Sequence, residues 1–175
     1  MIEIRPARLP DDIEAIEAID RSFRSDTALA PIRGEHGIEF LPYGAAVEKV
    51  LPLDDLRDVE RAWDTAWVAV RDGALCGFAA VGFQEWNRRL ALWHLYVDAS
   101  VRGQGVARRL IDVVAAHARR LGARHLWLEA SSVNTPAIEA YKALEFQVTG
   151  FDLTLYDGTE AEGEFALFLS RELED

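Results

Sequence analysis

The chain has a single cysteine, Cys76, in 175 residues. It can therefore close no intrachain disulfide and build no Cys-x-x-Cys metal cluster. Basic side chains are also scarce: 19 Lys and Arg stand against 30 Asp and Glu, a formal charge of −11. Nucleic-acid binding rests on neutralising many phosphates, so this balance argues against a nucleic-acid partner. It suits solubility, and it would attract a cationic small molecule. The opening "MIEIRPARLPDD" has no apolar signal core, and no run approaches membrane-spanning length. The expectation is a cytoplasmic protein with no membrane partner and no metal. Internal repeats and low-complexity tracts are missing too. About half of the residues are hydrophobic, enough for one domain over residues 1–175.

What is present reads as alternating strands and helices. "IEIRPA" reads as a first strand and "PDDIEAIEAIDRSF" as a helix. Asp11 and Asp12 favour its start, and Ile13, Ile16 and Ile19 mark its apolar side. From Ser25 to Val59 the pattern fails at Pro31, Pro42 and Pro52, and acids gather at Asp54, Asp55 and Asp58. This reads as a long excursion holding a strand pair. Asp72-Gly73 between two apolar runs predicts a hairpin. "RRLALWHLYV" follows as a strand. A long amphipathic helix then runs through Leu121 to Gly122, with Leu110, Val113, Val114, Ala118 and Leu121 as its apolar face. "RHLWLEA" reads as a strand, "NTPAIEAYKALEF" as a short helix with Pro136 in its first turn, and "FQVTGFDLTLY" and "EFALFLSREL" as closing strands. The fold class is mixed α/β: one central twisted, mostly antiparallel sheet with helices on both faces.

In "VDASVRGQGVARRLID", Gly103 and Gly105 open the long helix five residues after a strand. A helix start presents unpaired N–H groups with positive partial charge, and glycine lets a large anion approach them closely. A pyrophosphate fits such a place. A P-loop would need Gly-Lys-Ser/Thr, which is lacking. A dinucleotide fingerprint would need a third glycine where Arg108 stands and a glycine directly after the strand, although Glu129 ends a later strand as a ribose-binding acid would. An acyl-CoA motif, Arg/Gln-x-x-Gly-x-Gly/Ala, is satisfied by Arg102–Ala107. The plainer alternative is that the glycines only shape a loop.

With that motif in place the chain resembles the GNAT superfamily of N-acetyltransferases. More narrowly it is similar to the streptothricin (nourseothricin) acetyltransferases, through "AIEAIDRSFRSDT", "WNRRL", "GARHLWLEASSVNTPAIEAYKALEF" and "LYDGTEAEGEFALFLS". The resemblance implies the acyl-CoA N-acyltransferase fold. In it, the family's fourth and fifth strands, here Leu90–Val97 and His125–Glu129, splay apart around acetyl-CoA. It implies that the pantetheine arm pairs with main chain at Leu95, Tyr96 and Val97. The pyrophosphate would meet the segment Arg102, Gly103, Gln104, Gly105, Val106, Ala107 and Arg108, with Asn134 and Tyr141 beside the cofactor. The activity implied is acetyl transfer from acetyl-CoA to a primary amine of a small cationic acceptor, with a streptothricin-type antibiotic as the leading acceptor and a homodimer as the candidate assembly. An acyl-CoA-binding sensor without catalysis and acetylation of a protein or peptide amine are the alternatives. One departure stands out: relatives carry a Glu-Asp-Ile run in the central strand, where this chain has Trp93-His94-Leu95.

Attack of an amine on a thioester needs a deprotonated amine, and an alkylamine with a pKa of about 10.4 is neutral only about once in a thousand near neutral pH. A general base would help. His94 has the right ordinary pKa for it, and strict alternation places it on the face opposite Trp93; it could equally be a packed sheet histidine. Tyr141 lies two helical turns after Asn134 and is a candidate acid for the leaving thiolate, or a core tyrosine. Glu129 and Glu85 are further candidate bases, or solvated strand ends. Asp20, Asp26 and Asp152 could line a cationic pocket, and Arg102, Arg108 and Arg109 stand close to the expected phosphates. Trp63, Trp67, Trp86, Trp93 and Trp127 read mainly as core, with Trp93 also suited to the wall of an acceptor pocket.

Overall fold

A computed structural model describes residues 1–174. The elements run β1 (Ile2–Pro6), α1 (Ile13–Glu17), β2 (Ser22–Gly34), β3 (Gly37–Val50), a 3-10 turn (Asp54–Arg57), β4 (Thr65–Arg71), β5 (Ala74–Gln84) and β6 (Arg89–Val97). A second 3-10 turn (Ala99–Val101), α2 (Val106–Arg120), β7 (His125–Ser131), α3 (Thr135–Ala143), β8 (Gln147–Asp152) and β9 (Ala166–Glu172) follow. Hydrogen bonds order seven strands as β1-β4-β5-β6-β7-β9-β8, with β2-β3 a separate two-stranded sheet. The β1·β4, β4·β5, β5·β6 and β8·β9 pairs are antiparallel, and β6·β7 is parallel. The mixed, mostly antiparallel sheet expected from the sequence is the one found.

The chain divides into two compact units. One holds residues 1–21, 51–128 and those from Arg171; the other holds 22–50 and 129–170.

In the first unit α1 and α2 pack on opposite faces of the sheet. Ile13, Ile16 and Ile19 join Leu53, Leu56, Trp63, Phe78, Ala80 and Tyr96 in one buried cluster. On the other face α2 buries Val106, Leu110, Ile111, Val114, Ala115 and Ala118. Each large side chain among them contributes about 1.5–3 kcal/mol of transfer free energy. Gly77 of β5 lets α2 approach closely, since a Cβ there would sit 3.0 Å from Val106 Cγ1. Two residues expected on the apolar face of α2 lie elsewhere: Val113 is only partly covered and Leu121 is 41% exposed, while Ile111 is fully buried. Leu121 follows the last helical residue, so the helical period no longer aims it. Gly122 (φ 71°) ends the helix as expected.

α1 is one turn long rather than the predicted fourteen-residue helix. Arg21 Nη1 donates to the Glu17 and Ile19 carbonyls, at 2.9 and 3.2 Å, and so satisfies groups the helix leaves open. The residues after it extend into β2. At Asp72 (φ 52°) and Gly73 (φ 84°) both turn positions are left-handed, as a two-residue hairpin turn requires.

In the second unit the excursion is a long β-hairpin, β2 paired with β3 from Ser22↔Val50 to Gly34↔Gly37. Its prolines sit at Pro31↔Phe40 and Leu29↔Pro42. At Leu29↔Pro42 the Leu29 N–H points out of the ribbon, to Ser132 O at 3.0 Å, so that pair exchanges no ladder bond and the N–H missing from Pro42 is tolerated. Phe40 stacks on Phe165 and meets Phe151 edge-on, with centroids at 5.3 and 5.2 Å. The strand predicted through Tyr156 stops at Asp152, whose carboxylate accepts from Thr154 N (2.8 Å) and Oγ1 (2.9 Å) and turns the chain. Asp152 is thus engaged in its own turn. Trp86, expected in the core, is 87% exposed, because it stands in the turn between β5 and β6.

Candidate active site

In the first unit, the turn from Asp98 to Gly105 links the end of β6 to the start of α2. It is held by side chains. Asp98 accepts from Ser100 N (3.0 Å), Ser100 Oγ (2.5 Å) and Asp20 N (3.0 Å), and the Ser100 bond, first, keeps its carboxyl below the ordinary value. The Arg102 guanidinium donates to Val97 O (3.0 Å) and Asp20 O (3.1 Å). Arg71 Nη1 donates to Gln104 Oε1 (2.5 Å), and Arg109 Nη1 to Ile2 O (2.5 Å). The arginines read from sequence as phosphate partners therefore include two, Arg102 and Arg109, whose guanidiniums brace the backbone instead.

The braced turn presents bare amides. Gly103 (φ 76°) and Gly105 (φ 80°) are left-handed, a Cβ on either would meet nothing within 4 Å, and Gly105 caps α2 with no side-chain bond. The first helical bond is Arg109 N to Gly105 O at 3.2 Å. The N–H groups of Gly103 to Ala107 precede it, and a helix start leaves such groups without intrahelical partners. Positive helix-end potential, an open approach and uncovered N–H groups fit the diphosphate of a coenzyme A thioester.

β6 supplies the second feature. It pairs with β7 only over Arg89↔His125, Leu90↔Leu126 and Ala91↔Trp127. Among the described residues this parallel ladder ends at Ala91, and Leu95–Val97 continue β6 past that point. On the other edge the register with β5 shifts between Ala80↔His94 and Val81↔Leu92, leaving Trp93 as the extra residue of a bulge. The bulge corrects the alternation expected from sequence. A Cβ on Gly82 would lie 3.3 Å from Trp93 Nε1, and the Trp63 ring lies 6.1 Å from His94, so Trp93 and His94 both turn toward the Trp63 segment. Trp93 remains 46% exposed there.

His94 is hydrogen-bonded on both sides of its ring. Its Nε2 faces Asp55 Oδ1 and Oδ2 at 2.8 and 3.0 Å, and its Nδ1 faces Tyr96 Oη at 2.9 Å. Tyr96 Oη also donates to Pro52 O at 2.6 Å, and Trp63 Nε1 donates to Asp55 Oδ2 at 2.8 Å. Both ring nitrogens are engaged, and through them His94 ties the segment around the 3-10 turn to the central strand. The carboxylate missing from the strand itself arrives from that turn, as Asp55. The acid cluster there is legible in the sequence, but its pairing with His94 across 39 positions is not.

The second unit holds the other candidates. Glu129 stands within β7, two residues before its end; its carboxyl is raised above the ordinary carboxylate value by burial, while the Tyr156 hydroxyl, which donates to Glu129 Oε1, pulls the other way. Burial, then the Glu129 bond and charge, raises Tyr156 strongly. Tyr141 of α3 is pushed up to about 12 by burial and by the Glu129 charge, and its hydroxyl has no hydrogen-bond partner among the described residues. Asn134 is buried and serves as the cap of α3, its Oδ1 accepting from Ala137 N at 3.3 Å. Tyr156 was not singled out from sequence. Its place in "LYDGT" was the available signal. Glu85 is exposed in the turn after β5, and Asp26 is exposed at the register shift of the hairpin.

Comparison with known proteins adds to this geometry. Residues 36–146 match the Acetyltransferase (GNAT) family. The chain is 42% identical to a streptothricin acetyltransferase of Streptomyces lavendulae, over 96% of this chain and 93% of the relative. A crystal structure of nourseothricin acetyltransferase superposes with a TM-score of 0.87 at 38% identity, covering 99% of both chains. A Bacillus anthracis str. Ames protein solved in complex with acetyl coenzyme A shares the fold, with a TM-score of 0.84 at 23% identity over 98% of this chain and 99% of that one.

Proposed function

We propose, for a chain that belongs to the GNAT acetyltransferase family, that its acceptor is a primary amine of a streptothricin-type antibiotic. The chain is an acetyl-CoA-dependent N-acetyltransferase. The single observation that carries the cofactor half is the braced turn of uncovered amides at Gly103–Ala107, which opens α2 just after β6. The acceptor half rests on the two relatives of similar length, named for streptothricin and nourseothricin, and on the net charge of −11, which favours a cationic guest.

In the reaction the neutral amine nitrogen attacks the thioester carbonyl carbon, the C–N bond forms, and the C–S bond breaks. The sulfur leaves with the electron pair of that bond. The acceptor ammonium gives up two protons in all: one is lost before attack, and the other ends on the thiol of coenzyme A. The backbone N–H groups of Gly103–Ala107 hold the diphosphate, and Leu95–Val97 align the pantetheine arm. Holding the thioester in one pose contributes chiefly orientation.

Glu129 is proposed to take the first proton, directly or through a water. Its raised proton affinity moves a carboxylate toward the range a general base needs near neutrality. Tyr141 is proposed to serve the leaving sulfur. A hydroxyl at about 12 holds its proton more tightly than a thiol at about 8.5, so full transfer would be uphill by about 5 kcal/mol. Tyr141 therefore stabilises the sulfur by donating a hydrogen bond, and the amine supplies the proton that stays. Asp55 and His94 hold the central strand in place.

Thiol release from acetyl-CoA, measured across streptothricin, polyamines, aminoglycosides and lysine peptides, tests the assignment. The expected kcat/KM is highest for streptothricin. A higher value for a lysine peptide would move the acceptor to protein amines.

A further inference from the structure

We propose that a cleft at the C-terminal end of α2 is a binding site for a small oxyanion, a phosphate- or carboxylate-bearing molecule. The cleft lies wholly within the first unit and has a volume of about 770 Å³, within the range of small-molecule sites. Arg88, Arg119, Arg124 and His125 line it. α2 is 15 residues long, so the glycine turn at its other end is roughly 22 Å away, and the cleft is no part of the cofactor cradle.

Two of the arginines are aimed before any ligand arrives. Arg88 Nε donates to Gly122 O at 2.9 Å, and Arg119 Nε donates to Glu174 O at 3.0 Å. Each bond fixes the plane of a guanidinium while leaving its terminal nitrogens unused by any described residue. Arg124 makes no side-chain bond to a described residue. Its backbone is pinned, with its N–H given to Arg88 O (2.8 Å) and its carbonyl taken by Leu173 N (2.9 Å). None of the ion pairs among the described residues involves these three arginines.

The backbone around the cleft is unusual. Arg88 is left-handed (φ 53°), a conformation that costs a non-glycine residue about 1 kcal/mol. That strain is local to the residue whose side chain enters the cleft. The guanidiniums of Arg88, Arg119 and Arg124 share the lining with Glu172 and Glu174. Guanidinium forks set in place match the paired oxygens of a phosphate or carboxylate, and preorientation removes part of the entropy of binding.

Titration calorimetry on the full chain tests the site, with coenzyme A at saturation so that the glycine turn is filled. Inorganic phosphate and citrate are titrated separately at fixed ionic strength, which distinguishes the two oxyanion chemistries. Saturable binding of one anion per chain is expected for at least one of them, with affinity reduced about tenfold or more in Arg124→Ala. Coenzyme A affinity should be the same in that variant, which reports that it folds. Phosphate or citrate should also shift the His125 ring resonances in NMR spectra. No saturable binding of either anion, or equal affinity in Arg124→Ala, would overturn the proposal.

Discussion

Replacing Gly105 with alanine separates the shape of the cradle from its chemistry. Gly105 is left-handed at φ 80°, and a Cβ there would meet nothing within 4 Å. Steric damage to the fold is therefore absent, and only the conformational penalty remains, about 1–2 kcal/mol. In a chain of this length each kcal/mol moves Tm by about 2–4 °C, so Gly105→Ala should lower it by about 2–8 °C. The effect on the cofactor is larger. The open space in front of Gly105 is where the diphosphate must come within hydrogen-bond distance of the amides, and a methyl group holds it off. Losing one charge-assisted contact of about 1.5–3 kcal/mol weakens binding by about ten- to a hundredfold. Calorimetric titration with acetyl-CoA beside differential scanning calorimetry reads both quantities. An unchanged Kd would refute the assignment of the cradle. A Tm drop far beyond the range above would show that Gly105 is needed for folding rather than for binding.

Three further outcomes follow from the same geometry. His94→Ala removes the hydrogen bonds from the imidazole to Asp55 and Tyr96, which keep Trp63 Nε1 and Pro52 O, so Tm should fall by about 2–8 °C, for roughly 1–2 kcal/mol, while the acidic limb of the kcat/KM profile keeps its position; a shifted limb would restore His94 as the base. Tyr141→Phe should lower kcat about tenfold or more with little change in Tm, since its hydroxyl bonds to no described residue, and an unchanged kcat would remove its proposed role. Asp12 is held down to about 2 first by the Arg5 hydrogen bonds, at 2.7 and 2.8 Å, and then by the Arg8 N–H. A depressed carboxyl stabilises the fold above its unfolded pKa and loses that contribution as pH falls through the folded value. Asp12→Asn should therefore cost about 2 kcal/mol near neutral pH, and the gap to the parent in urea unfolding should close between about pH 4 and pH 2.

Much of the fold was legible because local signals were strong. Asp72-Gly73 dictated a turn, the apolar spacing of α2 dictated its buried side, and Gly122 marked its end. The glycines at 103 and 105 were legible for the same reason, since only that residue takes the backbone there without strain. What escaped depended on partners distant in sequence. The isoleucine spacing of α1 continued past Glu17, yet Arg21 closed the helix and the hairpin drew the next residues into β2. The bulge at Trp93 overrode strict alternation, and no local pattern announces an extra residue in a ladder. The Asp55–His94 pair joins a turn to a strand, so composition could place each residue but not the bond between them. Arg102 and Arg109 looked free as sequence because charge alone does not reveal a carbonyl within reach.

Mass spectrometry of the acceptor tests acetyl transfer from acetyl-CoA to an amine most directly. Streptothricin incubated with acetyl-CoA and the protein should gain the mass of one acetyl group, with coenzyme A thiol released in equal amount and no gain when the protein is omitted. Thiol release with no acetylated acceptor, or an unaltered acceptor and intact acetyl-CoA, would contradict it.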